Sequence, residues 1–254
     1  RGGCGDAMRK AYQAGGAVAS RTMDLLPGTS GFSYPAWRGS FYPAGMKPDA
    51  MLRFYAERFP SVEINNTFYR MPLPSVLEGW AGQVGENFRF VLKAPQRITH
   101  MKRLNNIDDE LTRFLEVAAV LGAKRGPLLF QLPPNFRKDA GRLATFLGKL
   151  PPDVEAAFEF RHATWFDDEV RELLSAKGVA LCIADDEDGT APHWATARFG
   201  YARLRRPEYT PADLQAWAAK LREQSWERAY VFFKHEDEGR GPELAARFRE
   251  AWAG

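Results

Sequence analysis

One repeating pattern dominates this sequence. From Met23 onward, short runs of apolar and β-branched residues alternate with longer amphipathic segments, and the alternation occurs eight times. Strands joined through helices run parallel and are connected by right-handed crossovers. We therefore predict an α/β fold in which eight parallel strands form a single TIM-barrel-like (β/α)8 domain over residues 23–254. The predicted strands cover residues 25–30, 61–65, 88–93, 127–132, 156–161, 179–185, 199–205 and 229–234.

The segments between these strands predict the helices. Only the link 186–197, between the sixth and seventh strands, reads as a loop. An open doubly wound sheet is the alternative fold, but the glycines of the stretch 28–31 lack the G-x-G-x-x-G spacing of a nucleotide-binding turn. The predicted helices cover residues 48–59, 74–84, 108–123, 139–150, 167–177, 211–224 and 242–252.

The first 22 residues differ from the rest of the chain. They are rich in Gly and Ala, lack an amphipathic period and lack the apolar centre of a signal peptide. We interpret residues 1–22 as an N-terminal extension, either disordered or an upstream remnant, that takes no part in function. The alternative interpretation is a lid or an arm that contacts a partner.

Charge and cysteine content limit the class of partner. The formal net charge of +3 is too small to indicate nucleic acid without a localised basic patch. The two cysteines, Cys4 and Cys182, are too few for a disulfide framework and predict a cytoplasmic protein. No apolar run approaches the roughly 18 residues of a membrane helix, so we expect no membrane partner. The oligomeric state is left open.

Polar residues collect where the predicted strands end. In the stretch "VEINNT", Glu63 and Asn65 share one face of the strand, because side chains alternate across it. Glu159 and Arg161 share a face in the same way. The opposite, apolar faces must pack on the helices, so these charged residues are predicted to point into the mouth of the barrel, the opening at the carboxyl ends of the strands. That end carries the active site in TIM barrels.

Six motifs resemble the successive signatures of the YecE-like family, a bacterial and archaeal group of unknown function. They are "GTSGFSYPAWRGSFYP", "VEINNTFYRMP", "FRFVLKAPQRITH", "GPLLFQLPP", "AFEFRHATWF" and "VALCIAD", and the resemblance covers about residues 28–250. It implies a TIM-barrel-like fold but no reaction. Two departures are Pro27 inside the first strand and Lys234-His235, where many relatives carry an asparagine pair. The motif positions imply a site that contains Ser30, Tyr34, Trp37, Glu63, Asn65, Thr67, Tyr69, Lys93, Gln131, Glu159, Arg161, Trp165 and Asp185.

These residue types favour an enzyme that acts on a small anionic substrate, phosphorylated or carboxylated, by acid/base chemistry. We predict Glu63, Lys93 and Glu159 as catalytic residues. Either glutamate is a candidate general base, because neighbouring cations depress a carboxyl pKa. Lys93 is a candidate ligand for the anion, or a Schiff-base lysine if it is desolvated. The predicted substrate-binding residues are Ser30, Tyr34, Trp37, Asn65, Thr67, Tyr69, Gln131, Arg161, Trp165, Asp185 and Arg203.

Several alternatives stay open. The same charges could form a structural salt-bridge network with no ligand. The basic loop 97–103 could indicate a nucleic-acid-binding or nuclease-like barrel, although acidic loops on the same rim oppose phosphates. A non-catalytic ligand-binding barrel is the third reading. No cofactor is predicted. A divalent metal held by Glu63, Glu159, Asp185 and His235 is the less favoured alternative, since no ligand spacing supports it.

Overall fold

Eight parallel strands surround one axis in the structure, a computed structural model that describes residues 23–187 and 189–254. Their order in the sheet is β1-β9-β8-β6-β5-β4-β3-β2, so chain neighbours are also neighbours in space. The predicted barrel is confirmed, and the extension at 1–22 lies outside the described residues. The strands are β1 Asp24–Thr29, β2 Ser61–Ile64, β3 Arg89–Lys93, β4 Arg125–Gln131, β5 Ala156–Glu159, β6 Ala180–Asp186, the short β7 Gly189–Thr190, β8 Phe199–Leu204 and β9 Arg228–Phe233.

Helices follow the strands as the amphipathic pattern predicts. The link between β6 and β8 is the exception: β7 folds back and pairs antiparallel with the end of β6. Among the described residues, no helix is both long and apolar enough to cross a bilayer. The helices are α1 Pro48–Ala56, α2 Asn66–Tyr69, α3 Pro74–Ala81, α4 Asp108–Ala119, α5 Ala140–Lys149, α6 Asp168–Lys177, α7 Pro211–Arg222 and α8 Arg240–Ala253.

The barrel closes at a seam between β1 and β2. The other neighbouring strands are joined by parallel ladders, whereas this pair meets through a single bridge between Ser30 and Glu63 among the described residues. The Ser61 hydroxyl donates to the carbonyl of Leu26 at 3.0 Å. Gly28 permits this approach, because a Cβ atom there would lie 2.2 Å from the Ser61 carbonyl oxygen. Side-chain contacts thus complete the ring where the backbone ladder is short.

Two apolar layers lie on either side of the strands. The outer layer packs between strands and helices and includes Phe130 and Phe158, whose rings stack at 5.4 Å. The inner layer fills the barrel and includes Val91, Leu129 and Phe232, all buried. Above the inner layer, toward the mouth, the inward positions change from apolar to charged. The apolar plug therefore forms the floor on which the candidate site is built.

Candidate functional site

A buried arginine joins two glutamates across the barrel. Arg203 on β8 donates to Glu63 on β2 through Nη2 at 2.8 Å and to Glu159 on β5 through Nη1 at 2.6 Å. The side chains of both glutamates are 0% exposed and that of Arg203 is 2% exposed. These strands are not neighbours in the sheet. The ion pairs therefore cross the interior and fix three walls of the barrel relative to one another.

Glu63 has hydrogen-bond partners on both carboxylate oxygens. Tyr201 donates its hydroxyl to Oε2 at 2.5 Å, and Ser30 donates its hydroxyl to Oε1 at 2.7 Å. The Asn65 amide donates to Oε1 at 3.2 Å. Burying a carboxylate is costly unless it is paired and hydrogen-bonded. The surrounding donors meet that requirement and keep Glu63 ionised.

Glu159 lies among three guanidinium groups and one amide. Gln131 donates to it at 2.8 Å, and the Nε of Arg161 donates at 2.5 Å. Arg205 approaches at 3.2 Å. The outer two arginines also reach Asp186, Arg161 at 3.2 Å and Arg205 at 2.6 Å. We refer to Glu63, Glu159, Asp186, Arg161, Arg203 and Arg205 as the carboxylate–arginine network.

The network lowers the pKa of both glutamates. Burial alone would raise the pKa of Glu63, but the Arg203 guanidinium and the hydroxyls of Tyr201 and Ser30 outweigh burial. Burial also opposes ionisation of Glu159, and the charges of Arg203, Arg205 and Arg161 hold its pKa below the ordinary value. Both groups are therefore carboxylates at neutral pH and unsuited to act as general acids.

We expect acid to destabilise the protein through these two groups. Because both pKa values are lower in the folded than in the unfolded chain, ionisation stabilises the fold above the unfolded pKa of about 4.3. This stability is lost as the pH falls from about 5 toward the pKa values of the folded state. Each glutamate contributes about 1.4 kcal/mol for every unit by which folding lowers its pKa. Urea unfolding at a series of pH values measures the slope. Glu159→Gln should flatten the dependence of unfolding free energy on pH. Glu243→Gln, which changes an exposed carboxylate, should leave that dependence unchanged. Equal slopes in the parent and both variants would contradict the role given to Glu159.

Lys93 stands apart from the network. Its Nζ donates to Gln131 Oε1 at 2.7 Å and lies 4.2 Å from the ring centroid of Phe68. Among the described residues, no carboxylate oxygen lies within salt-bridge distance of this amine. Burial and the charge of Arg203, assisted by Lys234, lower the pKa of Lys93 to about 8, against the opposing pull of the two glutamates. Lys93 is therefore half-buried and weakly partnered, and a small but appreciable fraction of its amine is neutral at physiological pH.

His100 lies on the same side of the mouth. It belongs to a π-helix, Arg97–Met101, a geometry that is rare and often found at functional sites. Its ring centroid lies 4.8 Å from that of Phe68, which also carries Lys93 on its face. Burial and the charges of Lys93 and Arg161 lower the pKa of His100. A neutral imidazole therefore stands near an amine whose pKa is lowered.

Most of the aromatic residues predicted for the site make packing or backbone contacts. Trp37 and Trp165 are 1% and 0% exposed, and their indole N–H groups donate to the carbonyls of Glu236 and Phe136. The Tyr34 hydroxyl donates to the Ser30 carbonyl at 2.7 Å. Thr67 is buried and donates to the Lys93 carbonyl at 2.6 Å, while Tyr69 is 77% exposed. Tyr34 and Thr67 therefore support the backbone of strand ends, and the two indoles pack the barrel.

Asp185 points toward the helix layer and away from the mouth. Its carboxylate accepts hydrogen bonds from Arg206 at 2.9 Å and from the Tyr209 hydroxyl at 2.8 Å. The next residue, Asp186, is the one that reaches the network. The alternation along β6 carries the signal, because small or polar residues occupy 180, 182, 184 and 186 while larger apolar residues occupy 181 and 183. This register places Asp185 on the outer face of the sheet, and its role in ligand binding stays a prediction.

The four residues proposed as metal ligands are not gathered in one place. Glu63 and Glu159 are bonded to arginines, Asp185 faces the helices, and His235 contacts the Arg206 carbonyl at 2.7 Å. Within the described ranges, no group of three or more His, Cys, Asp or Glu side chains could hold a metal ion.

A cleft of about 300 Å³ lies beside the mouth, with Tyr34, Asn65 and Trp80 among its lining residues.

Sequence comparison shows which family the chain belongs to. The family described as "Protein of unknown function DUF72" matches residues 26–254. The chain belongs to the DUF72 family. The chain is 31% identical to the UPF0759 protein YecE of Escherichia coli K12 over 163 residues, which cover 62% of this chain and 60% of that protein. It is 26% identical to the UPF0759 protein YunF of Bacillus subtilis over 168 residues, 60% of each chain. The YecE-like resemblance is thereby confirmed.

Solved DUF72 structures have the same fold. A DUF72 family protein of Thermotoga maritima superposes with a TM-score of 0.72 at 23% identity and covers 91% of this chain and 100% of its own. A DUF72 family protein of Enterococcus faecalis V583 gives a TM-score of 0.73 at 20% identity, over 92% of this chain and 99% of its own. The curated relatives are matched over less than two thirds of their own length. The comparisons therefore show the family and the fold of this chain and leave its chemistry open.

Proposed function

We propose that this DUF72 barrel binds a small anion, phosphorylated or carboxylated, at its mouth and transforms it by acid/base chemistry, with Lys93 as the group that exchanges the proton. The observation that carries the proposal is the Lys93 amine, which lies among cations and has no carboxylate partner in the part of the chain that the structure describes. A ligand carboxylate or phosphate would supply that missing partner. A pKa of about 8 suits proton exchange near neutral pH.

Arg161 is the second proposed anion ligand. Its side chain is 26% exposed, although Nε and Nη1 already contact Glu159 and Asp186. Guanidinium groups bind carboxylate and phosphate through a planar fork of donors. The network holds this fork in a fixed orientation, which reduces the ordering cost of binding.

Glu63 and Glu159 are assigned a positioning role instead of the catalytic role that the sequence suggests. Both side chains are fully buried and saturated with donors, so a ligand at the mouth would not touch them. Their charge holds Arg203, Arg205 and Arg161 in place. In this assignment the carboxylate–arginine network lies beneath the site, and Lys93 is the reactive group above it.

The rim favours a small anion over nucleic acid. Arg97 and Lys102, from the basic loop, both pair with Glu110 at 2.6 and 2.8 Å. Their charge is therefore partly neutralised, and phosphate backbones need several free cations. We further propose that the protein works in the cytoplasm, where the buried thiol of Cys182 stays reduced.

We expect Lys93→Met to abolish binding of inorganic phosphate. The parent protein should bind phosphate in the millimolar range, a free energy of about −4 kcal/mol, and the substitution removes the unpaired cation. Its melting temperature should not fall, because no carboxylate loses a salt bridge. Isothermal titration calorimetry and thermal melts provide the two readouts.

Lys102→Met is the matched control, since it removes a lysine that is paired with Glu110 on the same side of the barrel. It should bind phosphate like the parent. Phosphate binding that survives in Lys93→Met, or a parent protein that binds no phosphate, would reject the proposed function.

A further inference from the structure

We propose that Lys93 is a nucleophile that forms a Schiff base with small carbonyl compounds bearing a carboxylate, the class that includes 2-oxo acids. The inference rests on the proposed function and specifies the substrate class of the same site. The juxtaposition that carries it is a weakly partnered amine, an arginine linked to it through Gln131 and Glu159, and an imidazole that packs on the same Phe68 ring at one mouth. None of these three side chains is fully buried.

The surroundings of the amine favour reaction over salt-bridge formation. The Nζ has a neutral amide as its hydrogen-bond partner, and the aromatic face of Phe68 lies 4.2 Å away. The two nearest carboxylates, Glu63 and Glu159, are turned toward Arg203. A lysine that is desolvated and placed beside other cations is the usual arrangement for an amine nucleophile.

The protonation state is consistent with this role. With a pKa of about 8, roughly one Lys93 amine in ten is neutral at pH 7. An ordinary lysine, with a pKa near 10.4, is neutral in less than about one molecule in a thousand at that pH. The free amine, and not the ammonium ion, attacks a carbonyl group.

The chemistry balances without a co-reactant. The lone pair of Nζ forms a C–N bond to the carbonyl carbon, and the displaced π electrons give an alkoxide, which takes up the first proton that the attacking nitrogen releases. The neutral carbinolamine then loses its remaining N–H proton from nitrogen and hydroxide from carbon, and these two combine as water. The products are an imine and one molecule of water. Nothing is oxidised or reduced.

Two neighbours have roles in these steps. The Arg161 guanidinium, partly exposed, would hold the substrate carboxylate. His100, whose pKa is lowered by burial and by Lys93 and Arg161, is neutral near pH 7 and can accept the proton that leaves nitrogen. It can return that proton to the departing oxygen.

Reductive trapping tests the inference. The protein is incubated with pyruvate or glyoxylate and sodium borohydride, and the trapped secondary amine is located by peptide mass spectrometry. We expect one adduct per chain, on the peptide that contains Lys93, with labelling at least about tenfold above that of Lys102. Added phosphate should slow the labelling by competing for the mouth.

Lys93→Arg separates the two proposals. It keeps a positive charge and so should retain phosphate binding, but it cannot form an imine and should lose the adduct. Labelling of Lys93 no greater than that of Lys102, with phosphate binding intact, would overturn the Schiff-base inference and leave the proposed function standing. An adduct that persists in Lys93→Arg would place the nucleophile elsewhere. Absence of phosphate binding in the parent would instead reject the proposed function.

Discussion

Arg203→Met is expected to reduce the free energy of unfolding by about 3–5 kcal/mol, because it strands the buried carboxylate of Glu63 and removes one of three cations from that of Glu159. Both glutamate side chains are 0% exposed. Glu159 keeps Arg161 and Arg205, whereas Glu63 keeps only neutral donors among the described residues. Urea unfolding at neutral pH measures the loss.

Arg198→Met provides the control, since Arg198 is 64% exposed and pairs with Glu155 at the surface. Exposed pairs contribute about 0–1 kcal/mol. Where Arg203→Met does not fold, adding Glu63→Gln and Glu159→Gln should recover folding, because the stranded charges are removed. A single Arg203→Met variant as stable as Arg198→Met would show that the network does not support the barrel.

Trp165→Ala is expected to cost about 3–5 kcal/mol of unfolding free energy and to leave phosphate binding unchanged. The Trp165 ring stacks on Phe160 at 4.7 Å with an interplanar angle of 8°, and its N–H donates to the Phe136 carbonyl at 2.7 Å. Removing it opens a cavity between helix and barrel and frees a buried carbonyl. Thermal melts and calorimetric titration separate the two effects.

Tyr69→Ala is the matched aromatic truncation, because Tyr69 is 77% exposed. Exposed substitutions usually change stability by less than about 0.5 kcal/mol. If Trp165→Ala abolished phosphate binding while leaving the melting temperature unchanged, Trp165 would belong to the ligand site and the packing role would be wrong.

The fold was predictable because its signal is local. Each strand and helix is encoded within its own segment, and alternation alone places Glu63 and Glu159 inside the barrel. Their shared partner, Arg203, was harder to predict from the sequence. Arg203 reaches both only because of how β2, β5 and β8 are offset across the interior, and a single sequence does not encode that offset directly.

Differences between the expected and the observed placement of these residues have physical reasons as well. Asp185 was placed by its position at a strand end, but β6 continues to Asp186 and the alternation puts the earlier carboxylate outside. Trp37 and Trp165 lie in short 3-10 helices after β1 and β5, where the strand rule no longer fixes direction. Alternation therefore predicts direction only where the register is followed to the last residue of a strand, and it does not extend into the short helices beyond.

The barrel depends on side-chain contacts at the seam between β1 and β2, where the backbone ladder is short. The sheet is continuous everywhere except at this joint, and Glu63 lies at the joint while bonded to Arg203 on the far wall. The ion pair between Arg203 and Glu63 therefore serves two parts of the molecule at once: it lies beneath the mouth and it anchors the seam. A substitution that breaks this pair should loosen the junction of β1 and β2 together with the network beneath the site.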